Sequence, residues 1–261
     1  MIAGRDDGVG KFIGIQLLLL SFASGCMDIL SYTRLGQVFT SAMTGNAALL
    51  GLDIGQGNLA ATSRNLAAFA GFLGGLAVGA ALLRGRQQAL GWSRAITWTL
   101  VLEEVLLVGF AALWQIGDGP SSGRLLYGLI VLSGIAMGMQ STVAHSVGVP
   151  GITTTYFTGT LTGIVIGLIG KPAPPRTPQE QTPRRRHRLG WPAFAFLIYV
   201  AGAALTGLLE ARPPPWLAAA PVFVVPVFVV PALPAMTLVV VLLMAALSAV
   251  IGARRRGQAA P

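Results

Sequence analysis

Charge is what this sequence has least of. Only 10% of its 261 residues are Asp, Glu, Lys or Arg, where a soluble domain covers its surface with about 25%. A water-soluble globule is thereby excluded. Cysteine is nearly absent as well: a single Cys26 permits no intramolecular disulfide. There is no Walker-type phosphate loop, no Gly-rich dinucleotide fingerprint, no CxxC or paired-His spacing and no GxSxG elbow. An ATP-driven pump is therefore not expected from this chain alone, nor a cofactor, nor a metal site. No small-residue cleavage pattern precedes "CMDILSYTRLG", so the run from Phe12 is read as a first span and not as a signal peptide.

What is present is apolar surface, 54% of residues with a mean hydropathy of +0.70. The fold class expected is an all-α polytopic membrane protein, one integral membrane domain over 1–261. The net charge of +9 would suggest nucleic acid in a soluble protein. Here 14 of the 18 Lys and Arg lie in the N-terminal tail, two loops and the C-terminal tail, without interleaved aromatics. Such clusters set membrane orientation, and no nucleic-acid partner is expected.

A hydrocarbon core about 30 Å thick needs about 20 mostly apolar helical residues. The runs 12–33, 66–83, 95–116, 125–144 and 191–209 meet that test. The last run, 216–252, is too long for one span, and Pro221, Pro226, Pro231 and Pro234 oppose a second helix within it. The span is placed at 234–252, approached by the proline-paced "APVFVVPVFVVPALP".

Two hydroxyl-rich segments remain, "GQVFTSAMTGNAALLG" from residue 36 and "GITTTYFTGTLTGIVIG" from residue 151. Thr44 and Gly45 align with Thr158 and Gly159 at a constant offset, and Gly25 aligns with Gly138 at nearly the same one. The order of spans and loops matches too. We read two duplicated halves, 12–116 and 125–252, separated in the second half by a basic linker at 171–190. Each segment is polar first and only briefly apolar afterwards, which suggests a discontinuous or re-entrant element broken at Gly45 and Gly159. Non-helical backbone at membrane depth survives only inside protein or beside water.

The positive-inside rule does not separate six full spans plus two half-segments from eight full spans. The first arrangement puts 14 basic residues inside with Arg34, Arg64, Arg124 and Arg212 outside; the second moves Arg64 and Arg124 inside and the loop "RGRQQALGWSR" outside. Three full spans per half make the repeats inverted, the reading favoured here; four make them parallel. Both put the termini in the cytoplasm.

"GCMDILSYTRLGQVFTSAMTGN", "GMQS" and "VPGITTTYFTGTLT" resemble the YoaK-like family of bacterial multi-pass membrane proteins, whose function is unknown. The resemblance runs from about residue 14 to 209 and is carried by Asp28, "MTGN", Gln140 and "TTTYFTGT". It implies a protein of the bacterial inner membrane.

Few side chains in the apolar runs can do chemistry. Asp28 lies in the first span, where a charge at the bilayer centre costs roughly 2.5 to 3.5 kcal/mol on insertion scales; it is a candidate proton or cation ligand. Against that stands a structural role, capped by Ser31 or paired with Arg34. Glu103 and Glu104 sit in the middle of their span, and adjacent helical residues point about 100° apart, so one at most can face a given partner. They and His145 are candidate coupling residues; the plain alternatives are hydrogen-bonded structural acids and an interfacial histidine. Gln140 is expected to stand against the second broken segment. Thr44, Gly45, Asn46, Thr158, Gly159 and Thr160 are candidate substrate or ion ligands, the alternative being small-residue packing. Packing is the better account of Gly71, Gly75 and Gly79.

The expected function is a secondary transporter or permease for a small polar solute or ion. The partners expected are that solute and the lipid bilayer, with association of copies of the chain left open. The alternative is a non-transporting membrane scaffold or sensor working through the 171–190 linker. An intramembrane enzyme built on Asp28 with Glu103 or Glu104 is a lesser reading.

Overall fold

A computed structural model describes residues 3–84, 93–116, 123–147 and 187–210, with side chains from residue 13 onward in the first helix, up to 114 in the fourth and from 193 in the last. These residues form six helices and no strand: α1 (Ala3–Arg34), α2 (Met43–Gly55), α3 (Leu59–Leu82), α4 (Arg94–Ile116), α5 (Gly123–Ser146) and α6 (His187–Glu210). All but α2 are long and apolar enough to cross a membrane. The 234–252 span, the second hydroxyl-rich segment with Thr158, Gly159 and Thr160, and most of the 171–190 linker lie outside the described residues.

Sequence runs and helices agree closely at three of five spans, and α1 begins at Ala3, nine residues before its apolar run. The other exception is α3, which begins at Leu59, seven residues before the apolar run. Asn58 caps it, its side chain accepting from the Ala61 N–H, so the polar "TSRN" turn is helical although hydropathy does not reach it. The first span stops where Gly36 and Gln37 take positive φ values of 80° and 65°. There the Gln37 N–H reaches back to the Tyr32 carbonyl at 3.1 Å, satisfying one of the helix's last carbonyls.

The break in the hydroxyl-rich segment falls earlier than Gly45. Non-helical backbone covers 35–42, and Gly45 sits inside the first turn of α2. A Cβ at Gly45 would meet the Phe39 ring at 3.0 Å, so this glycine makes room for a side chain and does not break the helix. The thirteen residues of α2 reach only about 20 Å, short of a bilayer core.

Two helix pairs pack backbone to backbone. In α1 and α6, a Cβ at Gly25 would collide with the Tyr199 carbonyl, and one at Gly202 with the Phe22 carbonyl. In α3 and α5, a Cβ at Gly138 would collide with the Phe72 carbonyl, and one at Gly75 with the Ile135 carbonyl. Close approach through small residues is how helices associate in lipid, where no hydrophobic force acts between them. The Gly71, Gly75 and Gly79 stripe is the α3 side of this second seam, facing Val131, Ile135 and Thr142.

Polar contacts fix the helix directions. Arg34 Nε pairs with Glu210 Oε1 at 3.0 Å, so α1 and α6 end on the same face. Arg64 Nε donates to the Gly36 carbonyl at 3.0 Å, which brings the first turns of α3 to that face too. The Ser63 and Tyr127 hydroxyls meet at 2.5 Å, adding the start of α5. The α2 helix therefore leaves and returns on one side of the molecule, with Asn65 Nδ2 donating to Asp53 Oδ2 at 2.8 Å near its end.

Candidate functional site

The 35–42 segment gives up its helical hydrogen bonds and takes others from α1. Asp28 is fully buried. Its Oδ1 accepts from the Thr40 N–H at 2.9 Å, the Ser41 N–H at 2.7 Å and Thr40 Oγ1 at 3.3 Å. Its Oδ2 accepts from Ser41 Oγ at 2.6 Å and from the Tyr199 hydroxyl of α6 at 2.7 Å. A carboxylate offers about four lone-pair positions, and five donors occupy them. Asp28 thus does in this fold what a helix would otherwise do, satisfying backbone N–H groups at membrane depth.

Asn46 completes the arrangement one turn into α2. Its Oδ1 accepts from the Phe39 N–H at 2.7 Å and its Nδ2 donates to the Phe39 carbonyl at 2.6 Å. A side-chain amide thereby stands in for a strand partner, pairing both backbone groups of one residue. Phe39 in turn stacks on Tyr32 with ring centroids 5.1 Å apart. Asp28 and Asn46, far apart in the sequence, grip consecutive stretches of one loop.

Neither structural alternative weighed for Asp28 is what holds it among the described residues. Arg34 is paired with Glu210, and the Ser31 hydroxyl is buried without a hydrogen-bond partner. Thr44 is exposed at the start of α2, while Gly45 is half-buried.

Gln140 lies away from this cluster, on the α5 face toward α1. Its Nε2 donates to the Leu20 carbonyl at 2.7 Å and to Ser24 Oγ at 2.9 Å, and its Oε1 is buried with no partner. His145 is exposed in the last turn of α5. Glu103 is buried on the α4 stripe that runs through Ile96, Thr99, Leu107 and Phe110, and both its carboxyl oxygens lack partners; so do those of half-buried Glu104. No group of three or more His, Cys, Asp or Glu that could hold a metal occurs among the described residues.

Sequence reasoning passed over Tyr199, which supplies the only contact described to Asp28 from the second half of the chain. The signal was a phenol in the middle of an apolar span, where a buried hydroxyl needs a partner. Arg64 was counted only as a topology charge, yet its guanidinium closes the loop over Gly36.

A family model described as a protein of unknown function, DUF1275, matches residues 16–230. The chain belongs to the DUF1275 family. Within it, the chain is similar to the UPF0700 transmembrane protein YoaK of Bacillus subtilis (strain 168), at 36% identity over 194 residues, 74% of this chain and 82% of that protein. The family membership agrees with the resemblance carried by Asp28, "MTGN" and Gln140, and makes this a multi-pass transmembrane protein. No solved structure matches. The Asp28 cluster, Asn46 and the unpaired Glu103 all fall inside the span the DUF1275 model covers.

Proposed function

We propose that the protein is a secondary permease of the bacterial inner membrane, not an enzyme, and moves a small polar solute or ion. One observation carries this reading: eight residues of non-helical backbone, 35–42, lie against membrane-spanning helices, with Thr40 and Ser41 fastened by the buried Asp28. Broken elements at depth are the parts from which transporters build midplane sites. A purely structural span gains nothing from unwinding there.

The repeat supports the same reading. With Gly25 set against Gly138, Phe22 falls on Ile135, and with Tyr199 set against Phe72, Gly202 falls on Gly75. These are the residues of the two glycine seams: Gly25 on Tyr199 with Gly202 on Phe22, and Gly138 on Phe72 with Gly75 on Ile135. Two halves that swap partners in this way, with α1 and α5 running in opposite directions, are inverted repeats. The Arg64 to Gly36 contact favours six full spans with two half-segments, because eight spans would put these residues on opposite faces. With the Ser63 to Tyr127 contact, Arg34, Arg64 and Arg124 fall on one face, which we read as the outer one by charge, with the termini cytoplasmic.

Asp28 then acts as a latch. Its Oδ1 faces two N–H groups that can only donate, but its Oδ2 faces two hydroxyls that can donate or accept. A proton arriving at Oδ2 is accommodated by rotating those hydroxyls, at the cost of the charge that strengthens every bond to the segment. The segment with Thr44 and Asn46 is what the latch releases.

The test is uptake by proteoliposomes of a panel of labelled amino acids, sugars and inorganic anions, with imposed proton or sodium gradients. Uptake above protein-free vesicles, lost when the gradients collapse and lost in Asp28→Asn, is expected. Uptake that persists with both gradients collapsed would end the coupled reading.

A further inference from the structure

Buried polar atoms in this bundle are not unpaired at random. Among the described residues the buried side-chain atoms without a partner are Oε1 of Gln16 and Gln140, Oδ1 of Asn65, the four carboxyl oxygens of Glu103 and Glu104, and the hydroxyls of Ser31 and Ser141. No nitrogen is among them. Seven of these nine atoms are amide or carboxyl oxygens, and the other two are hydroxyls. A buried, unsatisfied acceptor costs about 1 to 3 kcal/mol and a charged one more, and no described residue supplies these groups with a donor.

Two of these groups, Glu103 and Gln140, lie at one depth on neighbouring helices. The link between α4 and α5 is only six residues long, at most about 20 Å, so the two helices form a hairpin. Gly109 lies against Leu132, and antiparallel packing at this register puts Glu103 at the depth of residue 138, about 3 Å along the axis from Gln140. Glu103 is on the buried stripe of α4. The orientation of the Gln140 amide is settled by chemistry: a carbonyl can only accept, so the atom at 2.7 Å from Leu20 O must be the nitrogen. The unpaired atom is then the oxygen, held in place by the two bonds its nitrogen makes to α1.

We propose that Glu103 and Gln140 form a binding site for a monovalent alkali-metal cation at the α4–α5 contact. A proton on Glu103 would neutralise the carboxylate but supply a single donor, leaving Gln140 Oε1 and one carboxyl oxygen as they are. A hard cation takes several oxygens at once and suits carboxylate and amide ligands. The charge also selects the valence. Glu104, about 100° around the helix and half-buried, is turned off the stripe, so one negative charge faces the contact and one positive charge balances it. Asp28 does not compete for this cation, because five donors fill its oxygens.

The site deepens the permease reading, on which its use as a coupling site rests, but binding is measured without transport. Full-length protein in detergent is unfolded thermally in lithium, sodium or potassium chloride, against choline chloride at the same ionic strength. One alkali ion at about a hundred-fold excess over its Kd is expected to raise the midpoint by roughly 5 to 10 °C. Glu103→Gln and Gln140→Leu should each lose that rise, and Glu104→Gln should keep it. Equal midpoints in all four salts, or a rise undiminished in both Glu103→Gln and Gln140→Leu, would overturn the site. A salt-specific rise lost in those two variants, in a protein that shows no uptake in vesicles, would leave the site standing and remove the permease.

Discussion

The Tyr199 hydroxyl donates to Asp28 Oδ2 at 2.7 Å, and so ties α6 to the carboxylate that fastens a loop 12 residues after it on the first half of the chain. The bond crosses the same seam at which Gly25 presses on the Tyr199 carbonyl. Backbone contact and side-chain contact therefore come from one residue, and any movement of α6 along α1 is felt at the latch.

Asp28→Asn and Asp28→Leu should separate structure from coupling. The asparagine keeps an oxygen for the Thr40 and Ser41 N–H groups and offers its NH2 to two hydroxyls able to accept. A loss of about 1 to 2 kcal/mol is expected, from charge assistance alone. The leucine leaves both N–H groups unpaired and should cost several kcal/mol. Thermal unfolding in detergent reads the difference, and comparable losses for the two variants would contradict the latch geometry.

Tyr199→Phe removes one donor to the buried Asp28 carboxylate. A destabilisation of about 1 to 3 kcal/mol follows, read as a lower unfolding midpoint. If the bond is what links the halves, Asp28→Leu already lacks it. The double variant Asp28→Leu with Tyr199→Phe should then be little worse than Asp28→Leu, so the two losses are non-additive.

Most of the helical frame was legible in the sequence, because a lipid-spanning helix must be apolar for about 20 residues and composition shows that directly. The place of the break was not. Hydroxyls and glycine drew attention to Gly45, whereas the break at 35–42 is set by Asp28, whose oxygens recruit Thr40 and Ser41 from a distance in sequence that no local pattern reports. The bonds of Gln140 to Leu20 and Ser24 on α1 were not legible either, since a partner on another helix is a matter of tertiary packing; the second broken segment expected beside it lies outside the described residues. The start of α3 was missed for a simpler reason: its second turn, "TSRN", is polar and its start is held by the Asn58 cap, and hydropathy is blind to caps.

The glycine seams make a paired prediction. Gly25→Ala and Gly138→Ala each force a methyl into a carbonyl of the neighbouring helix, and as the counterparts proposed above they should cost similar amounts, about 1 to 3 kcal/mol each by overpacking. Gly74, beside Gly75 but placed where a methyl would meet nothing within 4 Å, is the control: Gly74→Ala should be neutral or slightly stabilising, since alanine is the better helix former. A Gly25→Ala variant as stable as Gly74→Ala would dissolve the α1–α6 seam and with it the correspondence between halves.

Topology decides between inverted and parallel repeats, and the structure names the positions to probe. In a Cys26→Ser background, where serine keeps the donor that Cys26 Sγ offers to the Gly202 carbonyl, single cysteines go at Thr33, Gln56, Arg124, Arg84 and Arg94, all exposed. Six spans place Thr33, Gln56 and Arg124 on one face, as the contacts from Arg64 to Gly36 and from Ser63 to Tyr127 require. Arg84 and Arg94 then lie on the other. An impermeant thiol reagent added to intact cells should label the first three and not the last two, and inverted vesicles should reverse the pattern. With eight spans Gln56 and Arg124 would part from Thr33 and join the opposite face, while Arg84 and Arg94 would label from outside. That result would make the halves parallel, and the 35–42 segment would have to cross the membrane in spite of the 3.0 Å bond that returns α3 to Gly36.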